Sequence, residues 1–142
     1  MFENCIFESR HGGFSINSVH GIPDQVTITN SEFNALGDTH AITITSANKV
    51  LLENNHINAD HMERSELAIL RVGSYWTKNE PYEVKELTIR KNTIRSNIEN
   101  KGISTIYSGK NAPPYTIEDN RLYNVILELK ENDLSTDTYS QK

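Results

Sequence analysis

The sequence predicts an all-β chain wound as a right-handed, single-stranded parallel β-helix of about five coils with an asparagine ladder. Three observations predict it. First, four octets align without gaps: VTITNSEF at 26–33, VLLENNHI at 50–57, LTIRKNTI at 87–94 and YTIEDNRL at 115–122, while FENCIF at 2–7 fits their last six positions. Second, every copy follows one pattern: apolar, any, apolar, any, polar, Asn-like, any, apolar. Third, a further apolar strand follows in each of the first four copies. The octets start at 26, 50, 87 and 115, so the intervals are 24, 37 and 28 residues, a repeat length that belongs to solenoids.

In chain order, each octet opens on a strand, because its first two apolar positions alternate with period two and so share one buried face. A polar pair then turns the chain. At the second place of that pair stand Cys5, Ser31, Asn55, Asn92 and Asn120. Asparagine tolerates the left-handed backbone that such a bend needs, and its side chain bonds the backbone locally. Stacked in register, these amides are placed to bond one another between coils. The apolar residue after the bend (Phe7, Phe33, Ile57, Ile94, Leu122) returns inward on a short strand. A variable loop leads to the third strand: GFSIN at 13–17, AITIT at 41–45, LAILRV at 67–72 and GISTIY at 102–107. VILEL at 125–129 supplies the last strand, so residues 1–129 are read as the β-helix and residues 130–142 as a polar C-terminal tail.

Two other architectures compete. A leucine-rich-repeat solenoid would need a tighter period and a Leu-rich consensus, which is absent. An antiparallel sandwich would need tight hairpins at shorter intervals, and no Asn-Gly or Asp-Gly occurs. The unit of strand, tight Asn bend, short strand, loop, strand and loop resembles the pectate-lyase-like right-handed β-helix over residues 2–127. The strings SRHGG at 9–13 and GDTHAITI at 37–44 are similar to segments of bacterial β-helix carbohydrate-active proteins, among them alginate and chondroitin lyases and uronate epimerases. That resemblance implies a polysaccharide partner and a polysaccharide lyase or glycoside hydrolase-like activity. The adjacent aspartate pair typical of polygalacturonase-like hydrolases is missing, which lowers the hydrolase reading. The alternative is a non-catalytic glycan-binding or structural module, such as a stalk or tail-fibre segment.

Composition narrows the classes further. Hydrophobic residues make up 36% of the chain and mean hydropathy is -0.57, which suits the narrow interior of a solenoid better than one broad core. The formal charge is -5. With no basic stripe, nucleic acid is not a predicted partner, and a polyanionic glycan would need a local cationic patch. A lone cysteine, Cys5, rules out an internal disulfide and leaves the redox compartment unread. No apolar run approaches the roughly 18 residues of a membrane helix, so no membrane partner is predicted. No basic and then apolar leader follows Met1, and localisation stays unassigned; a leader on a longer protein would make it secreted or periplasmic. Phe2 falls in mid-coil with no amphipathic helix before it. The chain is therefore read as the C-terminal part of a longer stack missing its N-terminal coils, with end-to-end self-association as the alternative.

Function in a solenoid belongs to outward side chains and their flanking loops, since the inward ones make the core. Alternation from Phe14 and Ile16, from Ile42 and Ile44, and from Ala68, Leu70 and Val72 sets Ser15, Asn17, Thr43, Thr45, Ile69 and Arg71 outward. The loops entering these strands (9–13, 37–40, 58–66 and 100–102) should stack. Arg10 and His11 are then expected beside Asp38 and His40, with Asp60, His61, Glu63 and Arg64 below. Asp38 and His40 project to one side of extended chain, where the carboxylate can orient the imidazole and raise its basicity. A lyase needs a cation on the uronate carboxylate and a base for the α-proton. Arg71 or Arg10 is the candidate cation; His40 or His11 is the candidate base. Asn17, Thr43, Thr45 and Arg64 are candidate substrate contacts, and Tyr75 and Trp76, on the loop 73–86, are candidate platforms for sugar faces. No cofactor is assigned. His56, Asn58, Asp60, His61 and Glu63 are dense enough to hold a cation, calcium by their oxygens or zinc or another transition metal by their histidines, but they match no known ligand spacing.

Overall fold

The computed structural model describes residues 1–10, 14–16, 21–37, 40–44, 46–61, 69–72, 84–96, 101–107 and 115–131. Within them the chain makes five coils of three strands. The first holds β1 (Phe2–Glu3), β2 (Ile6–Ser9) and β3 (Phe14–Ile16), and the second β4 (Gln25–Thr29), β5 (Glu32–Ala35) and β6 (Ile42–Ile44). Coil three holds β7 (Ala47–Glu53), β8 (His56–Asn58) and β9 (Leu70–Val72); coil four, β10 (Val84–Arg90), β11 (Thr93–Arg95) and β12 (Lys101–Tyr107). Coil five closes with β13 (Tyr115–Glu118), β14 (Arg121–Tyr123) and β15 (Val125–Glu131). Residues 132–142, most of the expected tail, lie outside the described residues.

Like strands stack in parallel. The first sheet runs β1-β4-β7-β10-β13 and the second β2-β5-β8-β11-β14. The third runs β3-β6-β9, with β12 and β15 pairing separately and β12 packed beside β9. Register follows the octets: Val26 pairs with Val50, Val50 with Leu87, and Leu87 with Tyr115. The partial copy joins in phase, Phe2 opposite Ile28. The chain is a parallel β-helix.

Alternation explains what fills it. Along β4 the inward Val26 and Ile28 are buried while Thr27 and Thr29 stay half-buried on the outer face. Ile28, Phe33, Ile42, Ile44, Leu52, Ile57, Leu70, Leu87, Ile89 and Ile94 form one continuous column. Each such side chain contributes about 1.5–3 kcal/mol by leaving water.

Inside the bend the ladder is complete across all five coils. Asn92 N–H donates to Asn120 Oδ1 (3.0 Å), Asn55 N–H to Asn92 Oδ1 (2.9 Å), Ser31 N–H to Asn55 Oδ1 (2.9 Å) and Cys5 N–H to Ser31 Oγ (3.1 Å). The amide nitrogens turn to carbonyls that the bend leaves open: Asn55 Nδ2 to Ile28 O, Asn92 Nδ2 to Leu52 O and Asn120 Nδ2 to Ile89 O, each 2.9 Å.

Two expectations are corrected. The left-handed residue is not the ladder residue but the one before it: Asn4, Asn30, Asn54, Lys91 and Asp119 have φ of 50–56°. Reversing direction at the first polar position aims the second side chain inward. Ile69, expected outward, is 0% exposed. It sits in a bend ahead of β9, and its carbonyl accepts from Ala41 N–H (2.9 Å) and Ile42 N–H (3.2 Å), so strict alternation begins only at Leu70.

Candidate functional site

The edge where the second sheet turns into the third brings distant loops together by backbone bonding. Ser9 pairs with Ala35, and Leu36 N–H donates to Ser9 O at 2.8 Å. Gly37 then packs on the carbonyl of Arg10 so closely that an added Cβ would stand 2.5 Å from that oxygen. A side chain at 37 would push the two turns apart. One coil on, Ala59 N–H donates to Arg95 O (2.8 Å), and Ser96 N–H to Tyr123 O (3.1 Å). Successive loops thus leave the second sheet from stacked positions.

Arg10 is exposed at this edge. His40 belongs to the neighbouring turn and is only 7% exposed, at a cleft whose walls include Phe7, Ser9, Phe14, Phe33 and Asn34. An imidazole there is screened from bulk water by aromatic rings. Thr43 is half-buried on the outer face of the third sheet, between Ser15 and Arg71 in register. The backbone of Arg71 occupies β9. His11, Asn17, Asp38, Thr45, Arg64, Tyr75 and Trp76 lie outside the described residues. Of the candidates, then, the structure brings Arg10 and His40 to adjacent turns, and Thr43 and Arg71 to adjacent rungs.

Lower on the same edge, Asn58 Oδ1 accepts from Asp60 N–H at 2.9 Å, which turns the chain out of β8. The Asp60 carboxylate meets Arg95 Nη2 at 2.6 Å, tying two coils together, while its other oxygen is buried without a hydrogen-bond partner. His61 is exposed. Among the described residues no group of three or more His, Cys, Asp or Glu side chains is placed to hold a metal ion.

One polar surface escaped the sequence reading. The outward positions of the second sheet stack in two rows, Glu32–His56–Thr93–Arg121 and Asn34–Asn58–Arg95–Tyr123. The first row is the unspecified seventh place of the octet, just before the inward residue that follows the bend, and the second row is the residue just after the octet ends. Six of them line an open groove: Glu32, Asn34, His56, Asn58, Thr93 and Arg95.

The chain matches no protein-family model, no curated protein and no solved structure. Its class therefore rests on architecture: a parallel β-helix with a buried polar ladder.

Proposed function

We propose that the chain is a carbohydrate-active β-helix, of the kind the pectate-lyase-like resemblance suggests, that holds a polysaccharide along the loop edge of its third sheet. One observation supports this reading above others. Gly37 packs directly on the Arg10 carbonyl, and Ser9 and His40 line one cleft, so a cation and an imidazole from different coils share one edge. A glycan laid across the strands meets a new coil every ~4.8 Å, close to the length of one pyranose unit. Equivalent side chains on successive coils then meet successive sugars.

On this reading Arg10 or Arg71 takes a uronate carboxylate and acidifies the α-proton, and His40 or His11, with Asp38, removes it. The freed electron pair forms the double bond to the β-carbon, the glycosidic C–O bond there breaks, and the leaving oxygen takes a proton from water or the imidazolium. Thr43 and Thr45 contact hydroxyls. A second reading, a glycan binder without turnover, is favoured by the burial of His40, since a general base must reach the proton it removes. Incubation with a panel of uronate polysaccharides, followed by ultraviolet absorbance of new unsaturated ends, separates the two. Lyase turnover abolished by His40→Ala and Arg10→Ala supports the first. Binding that Arg10→Ala weakens, without new absorbance, supports the second. Neither binding nor turnover on any member of the panel would sink both.

A further inference from the structure

The outer faces of the two large sheets differ in how far their polar groups are engaged. On the first, charges pair across coils. Arg90 Nε meets Glu53 Oε1 at 2.9 Å, Lys91 Nζ approaches the same oxygen at 3.8 Å, and Lys49 Nζ lies 3.9 Å from Glu86. The amides there are engaged across coils too, Asn54 Nδ2 donating to the Asn30 amide oxygen at 2.6 Å and Asn48 Nδ2 to the Asp24 carboxylate at 3.0 Å.

The second sheet's outer face is arranged otherwise. Asn34 Nδ2 donates to Glu32 (2.8 Å) and Asn58 Oδ1 accepts from Asp60 N–H, which leaves Asn34 Oδ1 and Asn58 Nδ2 available. Among the described residues, the side chains of His56, Thr93, Arg121 and Tyr123 have no protein partner. Tyr123 is 56% exposed, an aromatic ring standing free at the end of a row of amide and guanidinium groups. The groove above β5, β8 and β11 has a volume of about 230 Å³, an open trough smaller than an enclosed small-ligand pocket.

We infer that this face is a second carbohydrate site, taking an acidic oligosaccharide that runs along the stack with one sugar per coil over β8, β11 and β14. Each part of the ligand has a matching group. Ring hydroxyls meet Asn58, His56 and Thr93, which both donate and accept. A pyranose face lies on the ring of Tyr123, where its CH groups meet the π-system. The carboxylate goes to Arg121, an exposed guanidinium, whereas Arg95 is already held by Asp60 at 2.6 Å. Polarity follows from charge: Glu8 and Glu32 lie at the coil-one and coil-two end of the face, so the acidic sugar sits at coil five. The ligand class rests on the carbohydrate reading above; the location does not, because none of these residues belongs to the loop edge.

The test uses the full chain and isothermal titration with tetramers of galacturonate, mannuronate and glucose. Tyr123→Ala and Arg121→Ala should each weaken the better uronate tetramer about tenfold, roughly the 1.4 kcal/mol that a decade represents. Both side chains are exposed, so the fold tolerates their loss, and Lys49→Ala on the first sheet should change nothing. Arg10→Ala removes only the loop-edge contribution. Uronate binding that falls with Arg10→Ala but ignores Tyr123→Ala and Arg121→Ala overturns the second site while leaving the loop-edge reading standing. The glucose tetramer binding as tightly as the uronates overturns the role of Arg121. No heat with any tetramer overturns the site and the carbohydrate reading together.

Discussion

A single ladder asparagine closes several backbone groups at once. Asn92 Oδ1 accepts from Asn55 N–H and from Asn55 Nδ2, while its own nitrogen donates to Leu52 O. Asn92 is 0% exposed, so water cannot replace what its removal leaves open. Each orphaned buried group costs about 1–3 kcal/mol. Asn92→Ala should therefore lower stability by about 3 kcal/mol, read as a shift of the urea midpoint at unchanged slope; a loss below 1 kcal/mol would mean that the ladder is ornamental. The residue beside it carries the opposite expectation. Lys91 holds φ at 56°, a region that asparagine enters more readily than lysine. Lys91→Asn should raise stability by about 1 kcal/mol, since the 3.8 Å contact to Glu53 that it gives up is half-exposed and worth little. The ladder positions are legible in the sequence, but the left-handed residue stands one place earlier than the octet pattern suggests. Asparagine suits both positions, and Asn54-Asn55 offers no choice between them. Lys91 and Asp119 hold the information: a charge at the first position marks it as the one facing water.

Among elements, the contact between turns is what positions the candidate edge. Gly37 is needed there by close approach, not by backbone angle. Gly37→Ala sets a methyl carbon against the Arg10 carbonyl, and overpacking of that kind costs about 1–3 kcal/mol. Thermal unfolding should show the loss, and polysaccharide binding at the edge should weaken with it; an unchanged Tm would mean that the two turns separate freely. Strand register was legible throughout, because an apolar period of two fixes which residues share a face. Ile69 was not, because the alternation counted back from Leu70 runs into a bend whose carbonyl serves the coil above. The outer face of the second sheet was missed for a related reason. The places flanking Ile57 and Ile94 vary from Glu32 to His56 to Thr93 to Arg121. A repeat search keeps what recurs and discards such positions, although that is where a solenoid carries its chemistry.

At the level of the whole molecule, the described strands of each coil pair only with strands of adjacent coils, so stability is close to a sum of coil and interface contributions. The two ends are not equivalent. Coil one is held by aromatic packing: Phe7 stacks on Phe33 at 4.8 Å, and Phe14 meets Phe33 edge-on at 5.6 Å, contacts worth about 0.5–1.5 kcal/mol each beyond their buried area. In coil five the corresponding inward residue, Leu122, is 38% exposed. Native-state hydrogen exchange should therefore find β13 and β14 opening before β1 and β2, with β4, β7 and β10 opening last. Asn92→Ala sharpens the expectation, because it weakens the interface between coils three and four. In that variant amides of β11 and β14 should lose protection by a larger factor than amides of β4 and β5, which stay stacked on an intact coil three. A uniform loss across all five coils would instead make the chain a single cooperative unit. Nearest-neighbour stacking would then be the wrong account of its stability, and loops on different coils would report on one another through the core and not only across the edge they share.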